Sequence, residues 1–288
     1  MASMIELIKE LRERTGAGMM DCKHALEECD QDVDKAIDWL RQKGIAKAQA
    51  KASRIAAEGL AEVKVNGNKA CIVEVNCETD FVSKGEKFHK LVSDVVDVTM
   101  KEEPACINCA REATKQLFTD ATVSMGEKLD YRRFELVNKN ADQGFGAYIH
   151  MGGKIAVLVV LEKEDAELAK GLAMHIAANS PKFVSAKDIP TETIAHEKTI
   201  QVELMKQDEK LANKPAQMLE NIANAKVQKV LSESTLSAQV YLLDGEKTVE
   251  KVLAEKGNSV VKFIRYAVGE GIEKRVDNFA EEVMKEVK

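Results

Sequence analysis

The sequence predicts an α+β fold, and two patterns support that class. Residues 4–43 carry apolar side chains at the i, i+3, i+4 and i+7 positions typical of amphipathic helices. A β-hairpin pattern then occurs twice, at 65–75 and 150–160, each time with glycine in the turn and a helical pattern after the second strand. The repeat predicts two related subdomains, each an antiparallel sheet covered by helices.

The N-terminal region is expected to form a three-helix module over residues 1–44, similar to a ubiquitin-associated domain. Its apolar stripes are Met4, Leu7, Ile8 and Leu11, then Cys22, Ala25, Leu26 and Cys29, then Val33, Ala36, Ile37 and Leu40. Gly44 is the predicted end of the third helix.

The alanine- and lysine-rich segment 45–57 is predicted to be a linker helix with a basic strip along one face. The strip consists of Lys43, Lys47, Lys51 and Arg54. Two interpretations stay open: a solvated helix surface, or a contact for an acidic partner or RNA.

Two core subdomains and a terminal helix follow. The predicted ranges are 58–141 for the first subdomain, 142–271 for the second, 191–232 for a helical hairpin inserted in the second, and 272–288 for a C-terminal helix. The hairpin is rich in glutamine, lysine and asparagine, which indicates a protruding antiparallel pair of helices. The predicted seam of the first helix is Ile200, Leu204 and Leu211, and that of the second is Leu219, Ile222, Ala223, Val227, Val230 and Leu231. After it, the pattern predicts a strand at about 238–243, a helix at 246–256 and a strand at 260–268.

Composition excludes several classes of protein. The 288 residues carry a formal net charge of −6, and aromatic residues make up only 5%. An acidic chain with few aromatics is a poor candidate for direct nucleic-acid binding. No apolar run is long enough to span a bilayer, and the first residues lack the features of a signal peptide, so we expect a cytoplasmic protein whose six cysteines are free thiols.

Few residue patterns point to enzymatic chemistry. Cys106 and Cys109 form a CxxC, but no second ligand pair accompanies them, so we expect no metal site. His175 lies on an apolar helical face and is expected to be a hydrogen-bonded core residue. Neither a Walker A loop nor a GxGxxG after a strand is present, so we expect no bound cofactor and no catalytic residues.

The segment 74–84, EVNCETDFVSK, is the most informative part of the chain. A strand ends here, and Phe81 follows next to the carboxylate of Asp80. Phe81 and Val82 could simply cap the core, or Phe81 could enter a pocket of a partner as a stiff apolar body. The second copy of the repeat has Glu162-Lys163-Glu164-Asp165 in this region. An aromatic residue present in only one copy favours the second interpretation.

Two long motifs resemble the elongation factor Ts family, whose members are guanine nucleotide exchange factors. EVNCETDFVSK resembles the second signature of that family, and LRERTGAGMMDCK at 11–23 resembles the first. The similarity continues through 150–155, 173–178 and 263–274, so it spans the chain.

The resemblance implies a translation elongation factor without covalent chemistry. It would promote GDP release from elongation factor Tu by displacing Mg²⁺ and disturbing the phosphate site, which allows GTP to reload. The implied partner-binding residues are Thr79, Asp80, Phe81, Val82, Met19, Met20, Lys23, His150 and Phe279. His24 stands where many relatives carry a second basic residue. The helical hairpin is also a candidate surface for homodimerisation.

Two alternatives belong to other classes of protein. The first forty residues alone are compatible with a ubiquitin-associated-type binding module on a scaffold protein. Cys106 and Cys109 are compatible with a thiol oxidoreductase, which requires a depressed thiol pKa.

Overall fold

The computed structural model describes residues 3–206 and 216–273, and it confirms the predicted α+β class. The helices are α1 (Met4–Thr15), α2 (Met19–Glu28), α3 (Val33–Ala50), α4 (Asp80–Ser83), α5 (Glu86–Glu102), α6 (Ile107–Ala113), α7 (Lys115–Met125), α8 (Ala166–Asn179), α9 (Thr191–Lys206), α10 (Ala216–Glu233) and α11 (Val249–Glu255). The strands are β1 (Glu58–Asn66), β2 (Lys69–Cys77), β3 (Asp130–Asn138), β4 (Gly144–His150), β5 (Ile155–Leu161) and β6 (Val260–Ala267). Within this part of the chain, no helix is long and apolar enough to cross a membrane.

Two antiparallel three-stranded sheets form the centre of the molecule, which confirms the predicted repeat. Their strand orders are β1-β2-β3 and β4-β5-β6, so a hairpin and one later strand make up each sheet. Alternate residues of β2 face opposite ways: Val73 packs on helices, whereas Ile72 packs on the other sheet. Because the middle strand is covered on both faces, it is apolar along most of its length.

Helices cover the outer face of each sheet. On α5, one apolar stripe packs on the first sheet: Phe88, Leu91, Val92, Val95 and Val96. On α8, small residues allow a closer approach to the second sheet. A Cβ added at Gly146 would lie 2.2 Å from the carbonyl oxygen of Ala169, so the strand can carry no side chain at that point.

The three N-terminal helices are present, but the predicted helix end at Gly44 is wrong. Helix α3 runs on to Ala50. Gly44 instead faces α7, where an added Cβ would lie 2.4 Å from Cγ2 of Val123. This glycine serves close packing between two helices, which the sequence pattern cannot distinguish from a helix end.

The segment 45–57 is not a separate helix, since α3 occupies its first part and a turn at 51–54 leads into β1. Part of its basic strip is used within the molecule. The Lys51 ammonium donates a hydrogen bond to the carbonyl oxygen of Gly126, and Arg54 pairs with Glu78 at 3.1 Å. These two cations anchor the segment to the core.

The helical hairpin consists of α9 and α10, and its predicted turn at 213–215 lies outside the described residues. The predicted seam of α9 is wrong at Ile200 and Leu204, and its third residue, Leu211, lies outside the described residues. Leu204 is 51% exposed and Ile200 also faces solvent, whereas the neighbouring Met205 is buried. On α10, Ala223 and Val227 are buried. The face of α9 that contains polar Gln201 turns inward, so apolarity alone misassigned the seam.

The strand expected at 238–243 is also wrong. A 3-10 turn, Leu236–Ala238, leads to an isolated bridge between Val240 and Thr248. The helix and strand predicted next are present as α11 and β6. The predicted C-terminal helix at 272–288 falls almost entirely outside the described residues.

A buried carboxylate links the two sheets. Glu74 on β2 is fully buried, and its oxygens accept hydrogen bonds from Arg132 (2.9 Å) and Arg133 (2.5 Å) on β3. The backbone N–H of Gly269, just after β6, donates to the same carboxylate at 2.8 Å. Arg133 also donates to the carbonyl oxygen of Ala267 at 3.2 Å. The network therefore ties the first sheet to the end of the second.

Glu74→Ala is expected to lower the free energy of unfolding by about 3–5 kcal/mol, because it removes the buried carboxylate that both Arg132 and Arg133 bond and leaves their partly buried guanidinium groups poorly compensated. The measurement is urea unfolding followed by circular dichroism. Asp94→Ala is the matched control, since it removes a half-exposed carboxylate that pairs with the exposed Lys90 at 2.7 Å and should cost less than about 1 kcal/mol. Equal losses in the two variants would show that the Glu74 network does not hold the sheets together.

His175 on α8 is a buried, hydrogen-bonded core residue, as predicted. Its Nδ1 accepts the backbone N–H of Leu242 at 3.1 Å, so the proton sits on Nε2, which donates to Gln239 at 2.9 Å. Burial lowers the pKa of this imidazole. The ring of Tyr241 lies beside it, with centroids 5.9 Å apart.

We expect stability to fall as the pH drops below about 6.5, because the unfolded state then binds a proton at this position more readily than the folded state does. The slope should reach at most about 1.4 kcal/mol per pH unit and should flatten below the lowered pKa of the folded state. Urea unfolding midpoints measured at several pH values below and above about 6.5 test this expected slope. His175→Gln should reduce the slope, whereas His196→Gln, on the exposed face of α9, should leave it unchanged. A slope unaffected by His175→Gln would contradict this assignment.

Candidate functional site

The loop after β2 presents Phe81 to solvent. Thr79 is the N-cap of the four-residue helix α4, and its hydroxyl accepts the N–H of Val82 at 3.4 Å. Phe81 is 85% exposed, whereas Val82 packs against the core of the first subdomain. The core-capping interpretation is therefore right for Val82 and wrong for Phe81.

A carboxylate from the connection between α7 and β3 holds this loop in place. Glu127 Oε2 accepts the backbone N–H groups of Glu78 (3.0 Å) and Thr79 (3.1 Å), and Oε1 accepts the Thr79 hydroxyl at 2.6 Å. Glu78 in turn accepts the N–H of Lys128 at 2.6 Å. These bonds order the loop before any partner arrives. Sequence reasoning missed Glu127, because nothing local connects it with a loop 48 residues earlier.

Asp80 carries the negative charge next to Phe81. Its carboxylate accepts a hydrogen bond from Lys84 at 2.6 Å, and this contact lowers the pKa of Asp80. Lys154, from the turn between β4 and β5, is close enough to favour the same ionised form. Asp80 is therefore a charged group at the rim of the exposed ring.

The α1–α2 turn supplies a second exposed apolar surface. Met19 and Met20 begin α2 and are 58% and 60% exposed, and Lys23 follows one turn later, 3.6 Å from Glu27. The Lys87 ammonium, on the first turn of α5, donates to the carbonyl oxygen of Gly16 at 3.4 Å. The α1–α2 turn is thus attached to the helix that directly follows the Phe81 loop.

His150 lies at the end of β4, in a turn that faces the other sheet. Its Nδ1 hydrogen-bonds with the hydroxyl of Tyr148 at 3.2 Å, and the ring is half-buried. The flanking Met151 is 70% exposed. Lys154, just beyond, bonds Glu58 at 2.7 Å, and Glu58 pairs with Cys77 at the base of the Phe81 loop.

These contacts connect the three predicted groups: the Phe81 loop, the start of α2 and the His150 turn. The ninth predicted residue, Phe279, lies outside the described residues. Sequence reasoning also missed Lys87 and Lys154, which make the connections, because each bond spans two distant segments. The exposed Met151 beside His150 was detectable only as an apolar residue in a turn.

Other features lie apart from this region. A cleft of about 660 Å³ is found at the base of the helical hairpin, where Ile194, Val227 and Leu231 contribute to its walls. Among the residues that the structure describes, no group of three or more His, Cys, Asp or Glu side chains could hold a metal ion.

Phe81→Ala is expected to change the free energy of unfolding by less than about 0.5 kcal/mol, because the ring is already in water. Phe88→Ala is the matched control: this buried side chain on α5 should cost about 3–5 kcal/mol when truncated. Urea unfolding of both variants tests the difference. A large loss for Phe81→Ala would place the ring in the core.

Comparison with known proteins finds the same family over nearly the whole chain. A family model described as Elongation factor TS matches residues 78–270, which begins at the Phe81 loop. A protein named Elongation factor Ts from Lactiplantibacillus plantarum is 45% identical over 287 residues, covering 98% of this chain and 97% of the relative. One of the same name from Pediococcus pentosaceus is 45% identical over 288 residues, with the same coverage of both chains. The chain therefore belongs to the elongation factor Ts family of translation elongation factors.

Proposed function

We propose that this chain binds elongation factor Tu and promotes GDP release by displacing Mg²⁺ and disturbing the phosphate site, so that GTP can reload. The observation that carries the proposal is Phe81, a large apolar side chain held in water by an ordered loop. Exposed aromatics at such positions are typical anchors of protein interfaces. Because Glu127 already orders the loop, binding incurs little further loss of conformational entropy.

Burial of one phenylalanine supplies enough free energy for such a role. Moving a phenylalanine side chain from water into an apolar pocket contributes about 1.5–3 kcal/mol. This equals about a ten- to hundredfold change in an equilibrium constant. If the ring packs well only in the nucleotide-free form of the GTPase, that energy becomes coupling between factor and nucleotide. The coupling is reciprocal: bound GDP must lower the affinity of the GTPase for the factor by the same ratio as the factor lowers the affinity for GDP.

The other exposed groups bind the partner while the ring of Phe81 enters its pocket. Met19, Met20 and Lys23 form one contact, and His150 forms another, with Met151 beside it. Thr79 and Val82 position the loop from within, as helix cap and core contact, and Asp80 orients the approach by charge. Phe279 is assigned to a further contact from the C-terminal segment.

The alternatives explain less. A ubiquitin-associated-type module on a scaffold accounts only for residues 1–44, whereas the relatives match 98% of the chain. The proposed function needs no covalent step, no cofactor and no direct nucleic-acid contact, because the nucleotide belongs to the partner. Self-association through the helical hairpin stays a separate candidate property.

Phe81→Ala is expected to slow GDP release from elongation factor Tu by at least about tenfold, because it removes apolar contacts made only in the complex. Stopped-flow fluorescence with GDP-loaded GTPase and a fluorescent GDP measures the rate. Asp80→Ala should slow release less, since a carboxylate at the rim of an interface steers more than it anchors.

Leu243→Ala serves as the matched control, because it truncates another exposed apolar side chain far along the chain from the loop. Its release rate should equal that of the unmodified chain. Near-normal release with Phe81→Ala would contradict the assigned role of the ring. Failure of the unmodified chain to accelerate release at all would contradict the proposed function.

A further inference from the structure

The six cysteines fall into two groups with different access to solvent. Cys22, Cys71 and Cys77 are buried, and burial raises the pKa of the latter two to about 12. Cys29 is half-buried, and desolvation raises its pKa as well. Cys106 and Cys109 are both exposed. Thiolate chemistry in this chain is therefore concentrated at one pair of residues.

The two exposed thiols lie within one helical turn and touch each other. Cys106 is the N-cap of α6, and its sulfur accepts the backbone N–H of Cys109 at 3.2 Å. The Cys109 thiol donates to the same sulfur, and together these bonds lower the pKa of Cys106. The same contact raises the pKa of Cys109. The pair is therefore asymmetric: the hydrogen bonds favour the thiolate form at Cys106 and the thiol form at Cys109.

The backbone under the pair is fixed by the rest of the fold. Arg111, in the next turn of α6, donates to the carbonyl oxygen of Tyr131 at 3.0 Å and to the carboxylate of Asp130 at 2.9 Å, both on β3. Thr114 at the end of α6 is buried. The two sulfurs are therefore presented by an anchored helical turn.

We propose that Cys106 and Cys109 form a redox-responsive dithiol that reacts with small-molecule disulfides and closes to an intramolecular disulfide. The Cys106 thiolate attacks one sulfur of the reagent, breaks its S–S bond and releases one thiolate. Cys109 then loses its proton and attacks the Cys106 sulfur, which releases the second thiolate and leaves a Cys106–Cys109 bond. The protein pair is oxidised by two electrons, and the reagent is reduced by two.

The proposal concerns a modification site and does not rest on nucleotide exchange. The order of attack follows from the position of Cys106: its exposed sulfur accepts the backbone N–H of Cys109 at 3.2 Å, and a hydrogen bond of this kind stabilises a thiolate. Cys109 lies in contact with that sulfur, so the second step should be fast compared with attack by a second reagent molecule.

The test uses the full folded chain and the aromatic disulfide dithiobis-nitrobenzoate, whose reduced form absorbs visible light. We expect a fast phase that releases about two equivalents of thionitrobenzoate per chain, with the protein about two mass units lighter and carrying no adduct. Peptide mapping without reduction should place the new bond between Cys106 and Cys109. A stable adduct on the unmodified chain, a fast phase from another cysteine, or no fast phase would overturn the proposal.

Single variants separate the two roles. C109S should release about one equivalent and keep one nitrobenzoate adduct on Cys106, because the resolving thiol is gone. C106S, in which serine is still able to cap α6, should react at least about tenfold more slowly near neutral pH. C29S is the control and should behave as the unmodified chain. Equal rates for C106S and C109S would overturn the assigned order of attack.

Discussion

The carboxylate of Glu74 is the interaction on which the arrangement of the two sheets depends. It is fully buried in the middle strand of the first sheet, yet its charged partners come from β3, and a further backbone N–H comes from Gly269, two residues after β6. A buried charge without partners would cost several kcal/mol, so the two sheets must meet in the one orientation that supplies all of them. The same strand ends three residues later and continues into the Phe81 loop. The network that positions β2 therefore also positions the base of the candidate site.

Two local irregularities make this network geometrically feasible. Adjacent residues of a regular strand point to opposite faces, yet Arg132 and Arg133 both reach Glu74. The register between β2 and β3 shifts between Glu74 and Val75, and this bulge redirects one of the two arginines.

The second irregularity is the backbone at Gly269. It has a φ of 73°, and an added Cβ would lie 2.3 Å from the carbonyl oxygen of Ala57. Glycine is required there for the backbone N–H to approach the carboxylate.

Periodicity and repeat structure were sufficient to predict most of the fold, because both report on side chains close in sequence. The hairpins, the three N-terminal helices and the exposed aromatic of one repeat copy were accessible in this way. The errors share a cause. Gly44 was assigned as a helix end because its packing against Val123 involves a distant helix. Leu204 was assigned to an inner face because the partner helix, not its own apolarity, decides which side is buried. Glu127, which orders the candidate site, is connected to it only through tertiary structure.

The close packing of α3 on α7 at Gly44 has a consequence for recognition. Helix α3 is continuous through Gly44 and packs on α7 there, and Lys87 joins α5 to the α1–α2 turn, so the methionines of α2 and the ring of Phe81 are held at a set separation. Two rigidly linked contacts favour simultaneous engagement, since the second one forms at a high effective concentration. They also discriminate by length. Under the proposed function, a target whose two complementary sites are spaced differently would engage only one of them, so the separation of these two exposed groups would contribute to the choice of partner.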